Sequence, residues 1–175
     1  MANKVLAGIG VIGGTGLYAM QELRILKEIK VKTPFGEPSD KLILGILSGI
    51  KTAFLPRHGR KHAMLPGEIN QRANIWALKS IGVKTIISAS AVGSLKEELA
   101  PTHFVFPDQF VDQTKGRPST FFGNGIVGHV PLAEPFCMNI SDMMYAEAKK
   151  LGIVCHKGGP YCCMAGPGFS TKAES

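Results

Sequence analysis

At 175 residues, 45% apolar and 19% charged, the chain has the size and composition of one globular domain, neither disordered nor fibrous. Its net charge of +7 comes from scattered lysines, with one dense basic cluster, "RHGRKH", at residues 57–62. Without a continuous basic stripe interleaved with aromatics, or an apolar run near the roughly 18 residues of a membrane span, neither a nucleic-acid nor a membrane partner is expected.

Residues 4–12, "KVLAGIGVI", form an apolar run that ends in a glycine pair, the pattern of a buried strand entering a turn. Gly8, Gly10 and Gly13 also fit G-x-G-x-x-G, the dinucleotide fingerprint, which needs its first glycine at the turn. A turn at Gly8 would leave only Lys4 to Ala7 as strand and would place the β-branched Val11 and Ile12 in the loop. A break after Ile12 fits better, which makes Gly13-Gly14-Thr15-Gly16 the turn and the fingerprint accidental. Glu28 lies near the distance of a ribose-binding acid, but "KEIKVKT" gives it no supporting pattern.

Two strands follow at about 42–47 and 51–55, joined by Ser48-Gly49, the second stopped by Pro56, which has no N–H for a ladder. Ala73, Trp76, Ala77 and Ile81 recur at helical spacing, so a helix is predicted over 70–81 with Gly82 as its terminator. "KTIISAS" (84–90) is a β-branched strand, and "THFVFPDQFVDQT" (102–114) supplies another. A helix over 141–152 is expected, capped by Ser141 or Asp142 and closed by Gly152. Strands alternating with helices make this an α/β domain. Thr171-x-x-Glu174 is a capping box that would open a helix, so the chain is expected to stop short of its natural end.

The four cysteines form no C-x-x-C, and the chain opens with no signal peptide, so a reduced, cytoplasmic protein is expected. No zinc-ligand spacing and no G-x-S-x-G appears. His58 and His62 are four apart, but Gly59 and Pro66 argue against a helix that would align them. The Gly13-Gly14-Thr15-Gly16 turn offers bare backbone N–H groups and a hydroxyl, which suits a phosphate oxygen as well as a plain tight turn. Arg57 and His58 follow one strand end, and Ser88, Ser90 and Ser94 lie at or beyond another, where ligands of α/β sheets collect. A basic surface loop beside ordinary serines is the competing reading.

The blocks "IGGTGLY", "TPFGEPSD", "PRHGRKHAMLPGEINQRANIWALK", "SASAVGSL", "DQFVDQT", "HVPLAEPFC" and "GPGFSTKAES" occur in one order. Together they closely resemble the S-methyl-5'-thioadenosine phosphorylase branch of the trimeric purine nucleoside phosphorylase family, essentially from Val5 to Ser175. The resemblance implies a mixed central β-sheet flanked by helices and phosphorolysis of 5'-methylthioadenosine to adenine and 5-methylthioribose 1-phosphate. It implies that Thr15, Arg57, His58, Ser90 and Ala91 bind phosphate. Phe169 and Ser170 would face the purine, and His129 would reach the nucleoside pocket of a neighbouring subunit in a homotrimer. No metal and no organic cofactor is implied, with inorganic phosphate as co-substrate.

Two departures accompany the match. Ala165 and Gly168 stand where the family's "EGPRFS" carries glutamate and arginine. The family domain is also longer, so residues 1–175 would be a single partial domain, with the proton donor for the purine beyond Ser175 and activity impaired. A 6-oxopurine nucleoside phosphorylase and a catalytically inactive phosphate-binding fragment are the alternatives.

Overall fold

The computed structural model describes residues 5–18 and 20–175, with Thr15 and Tyr18 given by backbone alone. They fall into two compact units, the described residues up to Ala91 with Pro118–Phe121, and Val92–Arg117 with Phe122–Ser175. The first unit is built on a five-stranded sheet in the order β2-β3-β4-β1-β5. Its strands are β1 (Ile9–Gly13), β2 (Arg24–Ile29), β3 (Leu42–Leu47), β4 (Ile50–Pro56) and β5 (Thr85–Ser88). β1 runs parallel to both β4 and β5, whereas β3 is antiparallel to β2 and to β4. The sheet is therefore mixed, as the resemblance implies.

Local chemistry explains most of these elements. Ser48 and Gly49 both have positive φ, 49° and 80°, the requirement of a two-residue type I′ turn, and they join β3 to β4 with Leu47 opposite Ile50. The helix α1 (Gln71–Ser80) is capped by Asn70, whose Oδ1 accepts from the Ala73 N–H at 3.1 Å. Gly82, at φ 97°, turns the chain out of α1 where a side chain would be strained. From β4, α1 crosses over β1 to reach β5. Ala77, Leu78 and Ile81 there pack on Ile12, Leu42, Leu44, Ala53 and Leu55. The alternate residues Ile43 and Phe54 bury the opposite face against Leu23, as the two-residue period of a strand dictates.

β1 is shorter than expected. Lys4 lies outside the described residues, and the segment after it is held by the end of α1, where the Leu6 N–H donates to the Ile81 carbonyl at 2.8 Å. Gly8 thus precedes the strand, while Gly10 lies inside it. A Cβ on Gly10 would stand 3.0 Å from Val83 Cγ1 and 3.3 Å from Leu78 Cδ2, so this glycine lets α1 approach the sheet.

The second unit holds two parallel strand pairs and a helix. β6 (Phe104–Phe106) pairs with β8 (Cys155–Lys157), and β7 (Gln109–Asp112) pairs with β9 (Pro160–Cys163). The single strand expected over 102–114 is thus two. Pro107 has no N–H to give, and opposite it Gly158 and Gly159 take φ of 87° and 90°. The Gly158 N–H closes this double break on the Phe106 carbonyl at 2.9 Å. The helix α2 (Met138–Lys150) starts earlier than expected, at Cys137, because the Ser141 N–H already bonds the Cys137 carbonyl at 3.0 Å. Asp142 serves as an ion-pair partner of Lys157 instead of a cap. At residues 171–175 the Glu174 carboxylate accepts from the Thr171 N–H at 2.8 Å, and the segment forms a turn where a helix start was expected.

Candidate functional site

Three adjacent parallel strands, β4, β1 and β5, end side by side. In the ladder Gly13 is level with Pro56, and Ile12 with Ser88. The backbone stitches the exits together: the Arg57 N–H donates to the Gly13 carbonyl at 3.1 Å, and the Ala89 N–H to the Ile12 carbonyl at 3.0 Å. A Cβ at Gly13 would collide with the Leu17 side chain and stand 3.3 Å from the Ala89 carbonyl, so glycine is what permits this approach. Gly13 is still the last residue of β1, one residue beyond the expected break, so the glycine loop opening at Gly14, Arg57-His58 and Ser90-Ala91 leave the sheet at one edge, at the carboxyl ends of its strands.

Beyond those ends, Arg57 and Ser90 meet. Arg57 Nη2 donates to Ser90 Oγ at 3.0 Å, and Ser90 Oγ donates in turn to the Ala91 carbonyl at 3.2 Å. The bond to Ser90 uses one of the several N–H donors of the guanidinium, whose planar fork matches phosphate or carboxylate. Thr15 opens a 3-10 turn (Thr15–Tyr18) directly after the glycine pair, and its hydroxyl is not among the described atoms.

His58 is held differently. Its Nδ1 lies 2.9 Å from the Met64 carbonyl, and its ring stacks on that of His62 with centroids 4.7 Å apart and planes at 27°. A carbonyl only accepts, so Nδ1 carries the hydrogen, and Nε2 is the ring's remaining polar atom. A cleft of about 370 Å³ alongside is lined by His58, Arg60, Lys61, Lys41, Asp40 and Met64.

The base of this loop is tied by an ion cluster that sequence reading missed. Arg60 Nη1 donates to Glu28 Oε1 at 2.6 Å, its backbone N–H donates to Asp40 Oδ2 at 3.0 Å, and Lys41 Nζ stands 4.0 Å from Glu28 Oε2. The hydrogen bond from Arg60 holds the Glu28 carboxyl below its usual range. Glu28, weighed earlier as a possible ribose acid, is thus the partner of Arg60. Asn74 of α1 is fully buried and fastens Ser39, next to Asp40: its Oδ1 accepts from the Ser39 N–H at 2.8 Å, and its Nδ2 donates to Ser39 Oγ at 2.9 Å.

The remaining expected site residues belong to the second unit. Phe169 is fully exposed, His129 is exposed, and Ser170 Oγ lies 2.6 Å from Ser175 Oγ. Ala165 contributes its carbonyl, which accepts from Arg117 Nη2. At Gly168 a Cβ would meet nothing within 4 Å, so packing does not require glycine there. Among the described residues no group of three or more His, Cys, Asp or Glu side chains converges as a metal site, and no helix is long and apolar enough to cross a membrane.

Comparison with known proteins adds to this geometry. The S-methyl-5'-thioadenosine phosphorylase of Geobacter sulfurreducens is 55% identical over 168 residues, which cover 95% of this chain and 59% of the relative. That of Koribacter versatilis is 57% identical over 169 residues, covering 97% and 58%. The chain therefore spans about six tenths of the length of the curated relatives it matches. Among solved structures, a methylthioadenosine phosphorylase sourced from an antarctic soil metagenomic library superposes with a TM-score of 0.94 at 49% identity, covering 98% of this chain and 61% of that one. The methylthioadenosine phosphorylase of Schistosoma mansoni in complex with adenine does so with a TM-score of 0.89 at 36% identity, covering 96% and 68%. The phosphorylase superfamily model itself matches residues 8–175, from the start of β1 through the strand ends and on into the second unit, and the chain belongs to that superfamily.

Proposed function

We propose that this protein works as a 5'-methylthioadenosine phosphorylase. Inorganic phosphate attacks the anomeric carbon of the ribose, and the carbon–N9 bond breaks with its electron pair going to the base. Adenine leaves protonated, and 5-methylthioribose 1-phosphate is the second product. The observation that carries this reading is the contact of Arg57 with Ser90 at the joined ends of β4, β1 and β5.

Arg57, Ser90, the Ala91 backbone, Thr15 and His58 would hold phosphate, which lowers the entropic cost of attack and sets an anion beside the positive charge that develops on the sugar. Phe169 offers a ring face to the purine, Ser170 a hydroxyl that reads it, and His129 a group for a neighbouring subunit's pocket in a homotrimer. Counting the proton that hydrogen phosphate gives up and the departing base takes, the step balances with phosphate alone, so the proposal calls on no metal and no organic cofactor. Four free cysteines agree with a cytoplasmic setting.

The leaving base needs a proton. The acids whose pKa is displaced, Glu28, Glu98, Asp112 and Glu174, are all displaced downward, so each favours the ionised form and none is suited to supply that proton.

Calorimetric titration with inorganic phosphate tests the site. Wild type should bind, and R57A should bind about 10- to 100-fold more weakly, the size of lost charged hydrogen bonds. Equal binding by R57A would remove the site. Adenine release from 5'-methylthioadenosine tests the reaction, and release that continues at the same rate without phosphate would replace phosphorolysis by hydrolysis.

A further inference from the structure

We infer that His62 is a positioning residue for the phosphate site, acting through the ring of His58; the inference rests on the phosphate-binding reading above. Two successive turns fold the loop after β4 back on itself: the Gly59 N–H donates to the Pro56 carbonyl at 3.1 Å, and the His62 N–H to the Gly59 carbonyl at 3.2 Å. This brings the His62 ring onto the His58 ring at 4.7 Å. To reach it, His62 takes φ of 50°, a left-handed conformation that side-chain-bearing residues seldom adopt. Histidine, like asparagine, is one of the side-chain-bearing residues that tolerate this conformation, so the turn can present the ring.

The stack does something the Met64 carbonyl does not. The bond at Nδ1 fixes which nitrogen of His58 carries hydrogen, but a ring held by one hydrogen bond can still swing about that bond. A second ring lying nearly parallel against its face, at 27°, removes the swing and fixes the direction of Nε2. A donor or acceptor fixed before the ligand arrives binds it without having to be ordered at that moment.

Inorganic phosphate titrated by calorimetry into three His62 variants, and into one of them in an H58Q background, tests this. H62A and H62G should bind about three- to tenfold more weakly than wild type, the size of one lost aromatic pairing. H62F, which keeps a flat ring, should restore binding. H62G should melt no lower than wild type, because glycine accepts the positive φ, so affinity falls while stability does not. In an H58Q background, H62A should have no further effect. Binding by H62A and H62G equal to wild type, or by H62F as weak as by H62A, overturns the role of His62 while leaving the phosphate site standing. Wild type that binds no phosphate overturns the site and this role with it.

Discussion

Replacing Asn74 by alanine probes how the loop ahead of β3 is fastened to α1. Asn74 is fully buried and makes two hydrogen bonds to one residue, Ser39, at 2.8 and 2.9 Å. Alanine removes both and strands the backbone N–H of Ser39, a residue only 8% exposed. One ordinary bond lost is worth about 1 kcal/mol and a stranded buried donor about 1–3 kcal/mol, so N74A should destabilise the fold by about 2–4 kcal/mol. The reporter is built in, since Trp76, the only tryptophan, lies two residues along the same helix. Urea unfolding followed by its fluorescence gives the difference directly. A loss below about 0.5 kcal/mol would mean that water or a shifted loop satisfies Ser39, and the fastening argument would fall. Because Ser39 adjoins Asp40, which holds the Arg60 backbone, the same variant should also weaken phosphate binding.

Three further expectations follow from the first unit. G10V places methyl groups where Val83 and Leu78 already stand, and should cost about 1–3 kcal/mol, read as a lower melting temperature. S48N should raise stability by roughly 0.5 kcal/mol, since asparagine tolerates the positive φ of this turn better than serine; a lower melting temperature would contradict the turn geometry. The Glu28 carboxyl is held below its usual value by Arg60, so its contribution is fully present above the ordinary glutamate range and is lost as pH falls through its own lower pKa. E28Q should therefore flatten the fall in stability on acidification below about pH 4.5, and an unchanged acid limb would show the pair to be neutral.

The hairpin of β3 and β4 and the helix α1 were legible because each follows from neighbours in sequence: mostly apolar runs, two turn residues, and apolar side chains at helical spacing. β2 was not, because "RILKEI" is an edge strand with nearly all of its side chains exposed, so nothing imposes an alternation. β8 and β9, of three and four residues, exist by pairing with β6 and β7 and read locally as a glycine-rich loop. At the site, the strand ends carrying Arg57 and Ser90 were legible, and the bond between them required the fold. The tie of Arg60 to Asp40 and Glu28 spans 20 and 32 residues, a separation for which local sequence holds no signal. His62 was visible only as half of an unlikely helical pair, because the left-handed turn that stacks it on His58 is a tertiary choice.

The level endings of β4, β1 and β5 make strand register the measure of the proposed phosphate site. A slip of β1 by one residue would exchange Ile12 and Val11 between opposite faces of the sheet, which burial on both sides forbids. A slip of two would keep the faces but carry Gly13 roughly 6.6 Å along the strand from its place level with Pro56, and so part the glycine loop from Arg57. The hydrophobic pattern of the core thus fixes the spacing of the strand ends that carry Arg57, Ser90 and the glycine loop.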